Sequence, residues 1–322
     1  MIDFRPIFLI LGFLLTTLAI MMMVPAAVDI FSDNPDWQVF AAAGGVTLFV
    51  GVSLSLTSRT GGAKLSVRQA FILTTLSWVV LTIFAALPFA FSQLELSFTD
   101  AFFEAMSGIT TTGATVIVNL DTAPPGLLLW RSLLQWLGGI GIIVMALAVL
   151  PLLRVGGMQL FHMESSDQSD KALPRTAQIA AAIVVIYLAL TVIWSGALWL
   201  AGLSGFDAIA HAMTTIATGG FSTHDASLSY YDSAVVEAIT TVGMILGSLP
   251  FLLYLLAVQG RVGVLFKDSQ VQWFFKVLVV VILFVSGWLW LVNDVDPLNS
   301  LRLSSFNVVS IMTGTGYVTD GF

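Results

Sequence analysis

The chain has 322 residues, 57% of them hydrophobic and only 10% charged, with a formal net charge of −7. Soluble domains carry about 25% charged residues, so no soluble fold of this size could hide so much apolar surface, and the surplus must face lipid. Cysteine is absent, which excludes a disulfide framework and a thiolate metal site.

Along the chain, Arg5 opens an apolar run to Val24 followed by Ala26 and Ala27, a pattern similar to a secretory signal. The run is as long as a full span, about 20 residues, and further apolar segments follow, so it reads as a first transmembrane helix. Seven segments are long enough to cross a bilayer: 6–27, 37–57, 70–91, 127–153, 176–201, 234–258 and 271–292. Between them lie three shorter and more polar stretches, 98–110, 206–217 and 300–312. At about 1.5 Å per residue, each reaches roughly halfway through the hydrocarbon. Half-length helices are tolerated only where their ends are buried in protein or line a water-filled cavity. The fold class expected is therefore an all-α integral membrane protein.

Charge placement sets the orientation. Arg5, Arg59, Lys64, Arg68, Arg154, Lys171, Arg175, Arg261, Lys267 and Lys276, ten of the twelve basic residues, fall at the N-terminus and in alternate loops. The positive-inside rule makes those loops cytoplasmic. The opposite loops carry Asp29, Asp33, Asp36, Glu95, Asp121, Asp225, Asp232, Asp294 and Asp296, together with all three short stretches. Any one of these acids is an ordinary solvated loop residue. Their one-sided distribution suits an outer mouth that concentrates cations.

The short stretches repeat. Asp100 and Asp207, Ala101 and Ala208, Ala105 and Ala212, Met106 and Met213, Thr111 and Thr218, and Gly113 and Gly220 all correspond at an offset of 107 residues. A third copy, 304–319, aligns Gly316 with Gly220 and Tyr317 with Phe221. The unit is long helix, half-length helix, Thr/Gly-rich loop, long helix. It divides the chain into two leading helices (1–60), a first unit (68–153), a second (174–258) and a third, incomplete one (270–322).

Such a loop suits cations. A selectivity filter replaces an ion's hydration shell with backbone carbonyls, and glycine visits the required conformations cheaply. The half-length helix before it aims its partly negative end at the ion. Small-residue packing between membrane helices also uses glycine and threonine, but three copies on one side, each after a half-length helix, favour the filter.

At these residues the chain resembles the Trk/Ktr/HKT superfamily of potassium transporters, and most closely the TrkH-type subunit. The motifs that carry the resemblance are ITTTGAT at 109–115, LWRSLLQWLGGIGIIV at 129–144, TTIATGGFS at 214–222 and SIMTGTGYVT at 310–319. The resemblance implies helix–pore–helix repeats around one pseudo-fourfold pore in a bacterial cytoplasmic membrane, a homodimer, and a cytoplasmic TrkA-type nucleotide-binding regulatory partner. It implies potassium as the transported ion, no covalent cofactor, and a nucleotide only on that partner. The filter positions carried over are Thr111, Thr112 and Gly113; Thr218, Gly219 and Gly220; and Gly314, Thr315 and Gly316. Sodium-permissive relatives carry serine in place of the first filter glycine. Family members continue through a fourth repeat, whereas this sequence runs six residues past Gly316, and we expect a longer parent protein.

Individual side chains suggest supporting roles. Arg131, near the outer end of a span, either pairs with Glu104 or Asp100 behind the first half-length helix or snorkels to the interface. Asp207 repeats Asp100. Gly138, Gly139 and Gly141, like Gly243 and Gly247, suit close packing behind the filter or a gating hinge. His162, His211 and His224 have no metal-site spacing; His211 falls on the second half-length helix, and His162, with Glu164, Asp167 and Asp170, falls in a loop suited to a regulator. No nucleophile–base constellation points to an enzyme, and the scattered basic residues argue against nucleic acid. Two other readings are an ion-coupled secondary transporter, which would predict inverted repeats, and a non-conducting assembly subunit.

Overall fold

The computed structural model describes residues 3–59, 66–153 and 172–319. Lys64, Arg154, His162, Glu164, Asp167, Asp170 and Lys171 lie outside the described residues. Among the described residues every regular element is helical. In chain order these are α1 (Arg5–Phe31), α2 (Trp37–Thr57), α3 (Val67–Ala85), α4 (Leu87–Phe91), α5 (Phe98–Ile109), α6 (Pro125–Leu153) and α7 (Ala172–Leu200). They continue as α8 (Gly205–Ile216), α9 (Ala234–Ser248), α10 (Phe251–Val258), α11 (Gly263–Lys267), α12 (Ser269–Val292) and α13 (Pro297–Met312). The long apolar helices make this a multi-pass membrane protein.

α1 and α2 form an antiparallel pair whose backbones nearly touch. Lipid offers no hydrophobic drive between helices, so association rests on van der Waals contact, which small residues allow. A methyl group on Gly51 would come within 2.9 Å of the Gly12 carbonyl. The pair leans on α6 through Asp29, whose Oδ1 accepts the Gly126 N–H at 2.7 Å. Phe40 meets Trp130 edge-on, and the Trp130 indole donates to the Ala85 carbonyl at 3.0 Å. These contacts surround one apolar core that also includes Phe89, Ala101, Ala105 and Leu134.

The half-length helices start alike. Ser97 accepts the Asp100 N–H and donates to its carboxylate at 2.7 Å, and Ser204 does the same with Asp207, also at 2.7 Å. Both acids sit in a first turn, where the helix dipole favours negative charge. α13 starts about a turn earlier than its counterparts, capped by Asp296, which accepts the N–H groups of Leu298 and Asn299.

One span departs from the sequence expectation. Segment 234–258 is not a single rod: α9 and α10 meet at 91°. Leu249, ahead of Pro250, is extended at φ −73° and ψ 149°. Proline has no N–H to continue the ladder, and its ring drives the preceding residue out of helical space.

Gly51→Leu should overpack the α1–α2 crossing, at a cost of about 1–3 kcal/mol or more, and lower the melting temperature in detergent. An unchanged melting curve would show that the close approach is dispensable.

Candidate functional site

Each half-length helix ends in the same turn. The Thr112 N–H bonds to the Ser107 carbonyl at 2.9 Å, the Gly219 N–H to that of Thr214 at 2.8 Å, and the Thr315 N–H to that of Ser310 at 2.9 Å. This closure needs a left-handed residue just before the donor. Thr111 (φ 55°), Thr218 (50°) and Gly314 (74°) supply it. Two residues on, φ is positive again at Gly113 (81°), Gly220 (77°) and Gly316 (86°). The alternation makes Thr111-Thr112-Gly113, Thr218-Gly219-Gly220 and Gly314-Thr315-Gly316 equivalent. Left-handed backbone at a β-branched threonine is a genuine outlier. Such strain, of order 1–3 kcal/mol per residue, persists only where the surroundings impose it.

The triplets pack side by side. A methyl group on Gly113 would collide with the Gly219 carbonyl, and one on Gly220 with that of Thr315. Glycine is therefore required at both for space as well as for φ. The aromatic residue after the second and the third triplet then locks into the preceding unit. Phe221 packs against Gly108, at the end of α5, and under the Arg131 guanidinium, 4.1 Å from its ring centroid. Tyr317 reaches the end of α8, bonded to the Thr214 hydroxyl, to that of Thr215 at 3.3 Å and to the His211 carbonyl at 3.3 Å.

Arg131 pairs with Glu104 and not with Asp100, which is engaged with Ser97. Its Nε lies 2.7 Å from Glu104 Oε1, and both side chains are buried. Its Nη1 donates to the Ser222 carbonyl at 2.7 Å, so one guanidinium ties the first loop's helix to the second loop. Glu104 also accepts from the Thr115 hydroxyl at 2.9 Å and the Val116 N–H at 3.0 Å. The position equivalent to Glu104 is His211 in the second unit, whose Nε2 lies 3.0 Å from the Ser222 hydroxyl, and Asn307 in the third, which donates to Thr319 at 2.9 Å. Each pins its helix to the segment just past the loop.

Behind the loops, α6 runs helical through Gly138, Gly139 and Gly141. A methyl group on Gly138 would strike the Ile109 carbonyl, one on Gly139 would come within 2.7 Å of the Tyr187 hydroxyl, and Gly141 faces open space. Gly247 on α9 abuts the Ile216 carbonyl as Gly138 abuts that of Ile109. The α9–α10 break borders a cavity of about 350 Å³ that reaches Thr111 and Thr218. On the acidic side, Asp29 and Asp36 are buried and bind the amides of Gly126 and Gln93, so they do not line an open mouth. Exposed Asp121 is held below the usual carboxylate range by its hydrogen bond with His224. Among the described residues no three ligating side chains cluster as a metal site.

Four residues have roles here that the sequence reading did not assign. Gln135 is buried and bonded to the second loop. Phe221 and Tyr317 lock the loops together. Arg302 on α13 forms a bidentate pair with Glu237 on α9, 2.7 Å at each contact. A glutamine inside an apolar span is itself a signal, since intramembrane polar groups are retained for a partner.

The family model TrkH, described as cation transport protein, matches residues 36–318. This chain belongs to the TrkH family. It is 43% identical over 319 residues to the Trk system potassium uptake protein TrkI of Halomonas elongata, covering 98% of this chain and 64% of that protein. Against TrkH of Escherichia coli K12 the identity is 39% over 322 residues, covering 98% and 67%. The crystal structure of the potassium transporter TrkH from Vibrio parahaemolyticus superposes with a TM-score of 0.91 at 37% identity, covering all of this chain and 67% of that one. The chain thus spans about two thirds of the length of these TrkH-family relatives.

Arg131→Ala should leave Glu104 buried without its counter-charge, which costs about 3–5 kcal/mol, and should lower both the yield of folded protein and cation flux. Wild-type melting and flux in that variant would remove the pairing role.

Proposed function

We propose that this chain supplies three of the loops of a potassium-selective pore, through which potassium enters the cell across a bacterial cytoplasmic membrane. The observation that carries the reading is the shared left-handed alternation of the three triplets, packed so closely that carbonyls of one loop abut the α-carbons of the next. Carbonyls held in this way can stand in for an ion's water shell. The relatives' names, potassium uptake proteins, supply the ion. Backbone carbonyls of Thr111, Thr112 and Gly113, of Thr218, Gly219 and Gly220, and of Gly314, Thr315 and Gly316 are the proposed ligands. Glu104, Arg131, Asp100 and Asp207 support them.

On this reading the chain divides into two leading helices (1–60), two helix–pore–helix units (68–153 and 174–258) and part of a third (270–322). Its N-terminus is cytoplasmic and its loops open outward, because the basic residues gather opposite the loops. A nucleotide-binding regulator of TrkA type would meet the basic face, and the assembly would be a homodimer. A secondary transporter with inverted repeats fits less well, since each half-length helix follows a long helix and ends in the same left-handed turn.

Potassium uptake by a potassium-auxotrophic bacterial strain carrying the full-length gene tests the reading directly. Gly113→Ser should relax discrimination of potassium over sodium, because the side chain meets the Gly219 carbonyl. Unchanged discrimination would count against the filter assignment, and absence of potassium uptake by the wild type would count against the function.

A further inference from the structure

The three loops share a backbone but differ in what ties them. In the first, the Thr110 and Thr112 hydroxyls bond across the left-handed residue at 2.8 Å; in the third, those of Thr313 and Thr315 do so at 2.7 Å. The second loop has Ala217 and Gly219 at these positions and so has neither hydroxyl. Its peptide between Gly219 and Gly220 is also flanked by two residues without Cβ, which resist rotation least.

Gln135 of α6 lies against that peptide. Its Nε2 donates to the Gly219 carbonyl at 2.5 Å, and its Oε1 accepts the Phe221 N–H at 3.0 Å. A backbone N–H can only donate, so the two bonds together fix which way the amide faces. A carbonyl has two lone pairs; with one held by Gln135, the other remains for a cation.

At the third loop, where the hydroxyl pair is present, the clamp is absent. Gly138 and Gly247 abut equivalent carbonyls, so the residue three before each is equivalent too: Gln135 on α6 and Met244 on α9. Met244 is buried in an apolar cluster with Tyr317, beside the loop that has its threonine pair. Clamp and pair also compete for space, because a Cβ on Gly219 would come 2.5 Å from Gln135 Oε1.

We infer that Gln135 is the positioning residue of the second loop, replacing the threonine tether and holding the Gly219 carbonyl in register with those of Thr112 and Thr315. The inference rests on the filter reading above and adds to it a selectivity-determining side chain outside the filter.

The test uses the full-length transporter in liposomes, with the potassium-to-sodium permeability ratio as readout. The near-isosteric Gln135→Met, and Gln135→Ala, should lower that ratio about tenfold, the equivalent of one lost hydrogen bond of the stronger kind. Adding Ala217→Thr and Gly219→Thr to Gln135→Ala rebuilds the tether in the vacated space and should recover most of the loss. The same two threonines with Gln135 retained should lower the ratio further through the clash. A wild-type ratio in both single variants overturns the inference, as does a triple variant no better than Gln135→Ala. If the single variants fail to fold, folding of the triple supports the tether, and its failure makes Gln135 a packing residue. A wild type that passes no potassium sinks the filter reading instead, so the two failures are distinguishable.

Discussion

Backbone carbonyls can replace water around a cation only if the chain is held in a conformation it would not otherwise keep. On the proposed filter reading that demand falls on six residues with positive φ, two of them β-branched threonines. Thr111 and Thr218 cannot hold a left-handed turn by preference. The closure that ends α5 and α8 imposes it, and the helix ends are themselves fixed by the long helices behind them. The half of the molecule that holds the short helices is organised around keeping these three turns rigid while they nearly touch.

Charge is used for geometry more than for stability. The two arginines outside the basic loops, Arg131 and Arg302, each pair with a glutamate: the first pair joins a half-length helix to a long one, the second a half-length helix to the first arm of the bent span. Arg131–Glu104 is fully buried, and such a pair gains little over a well-packed apolar contact, while losing half of it is costly. Its value lies in direction: Glu104 has fixed partners beyond its loop, and Arg131 has one on the next loop. Arg302–Glu237 lies nearer water, where pairing contributes less. That gradient puts the stricter constraint at the junction of the first two loops.

Most of the architecture was legible in the sequence because lipid enforces a simple rule: length and apolarity mark spans, and shorter polar stretches mark half-length helices. The repeat offset likewise pointed to the three triplets, and the positive φ pattern gives the third the same register as the other two. Three kinds of feature escaped. The bend at Leu249–Pro250 was hidden because segment 234–258 is apolar throughout, and the proline was outweighed by length. The choice of Glu104 over Asp100 as Arg131's partner depends on helix rotation, which spacing leaves open when both acids share one helix. Asp29 and Asp36 looked like solvated loop acids because nothing local in the sequence shows the distant amides of Gly126 and Gln93 that they bind.

What the repeats conserve is backbone, and what they vary is the means of holding it. One position carries glutamate, histidine and asparagine in the three units, and each bonds the hydroxyl of a residue just past its own loop. The aromatic lock is phenylalanine under a guanidinium in one junction and tyrosine among hydroxyls in the next. A symmetric ring of identical subunits would need the same side chains in every loop, but loops that lie on one chain are under no such restriction. One loop can then lack the threonine pair that the other two have, as the second does beside Gln135. If, as proposed, the carbonyls hold the ion, their positions have no such substitute, because only the main chain is common to all three loops.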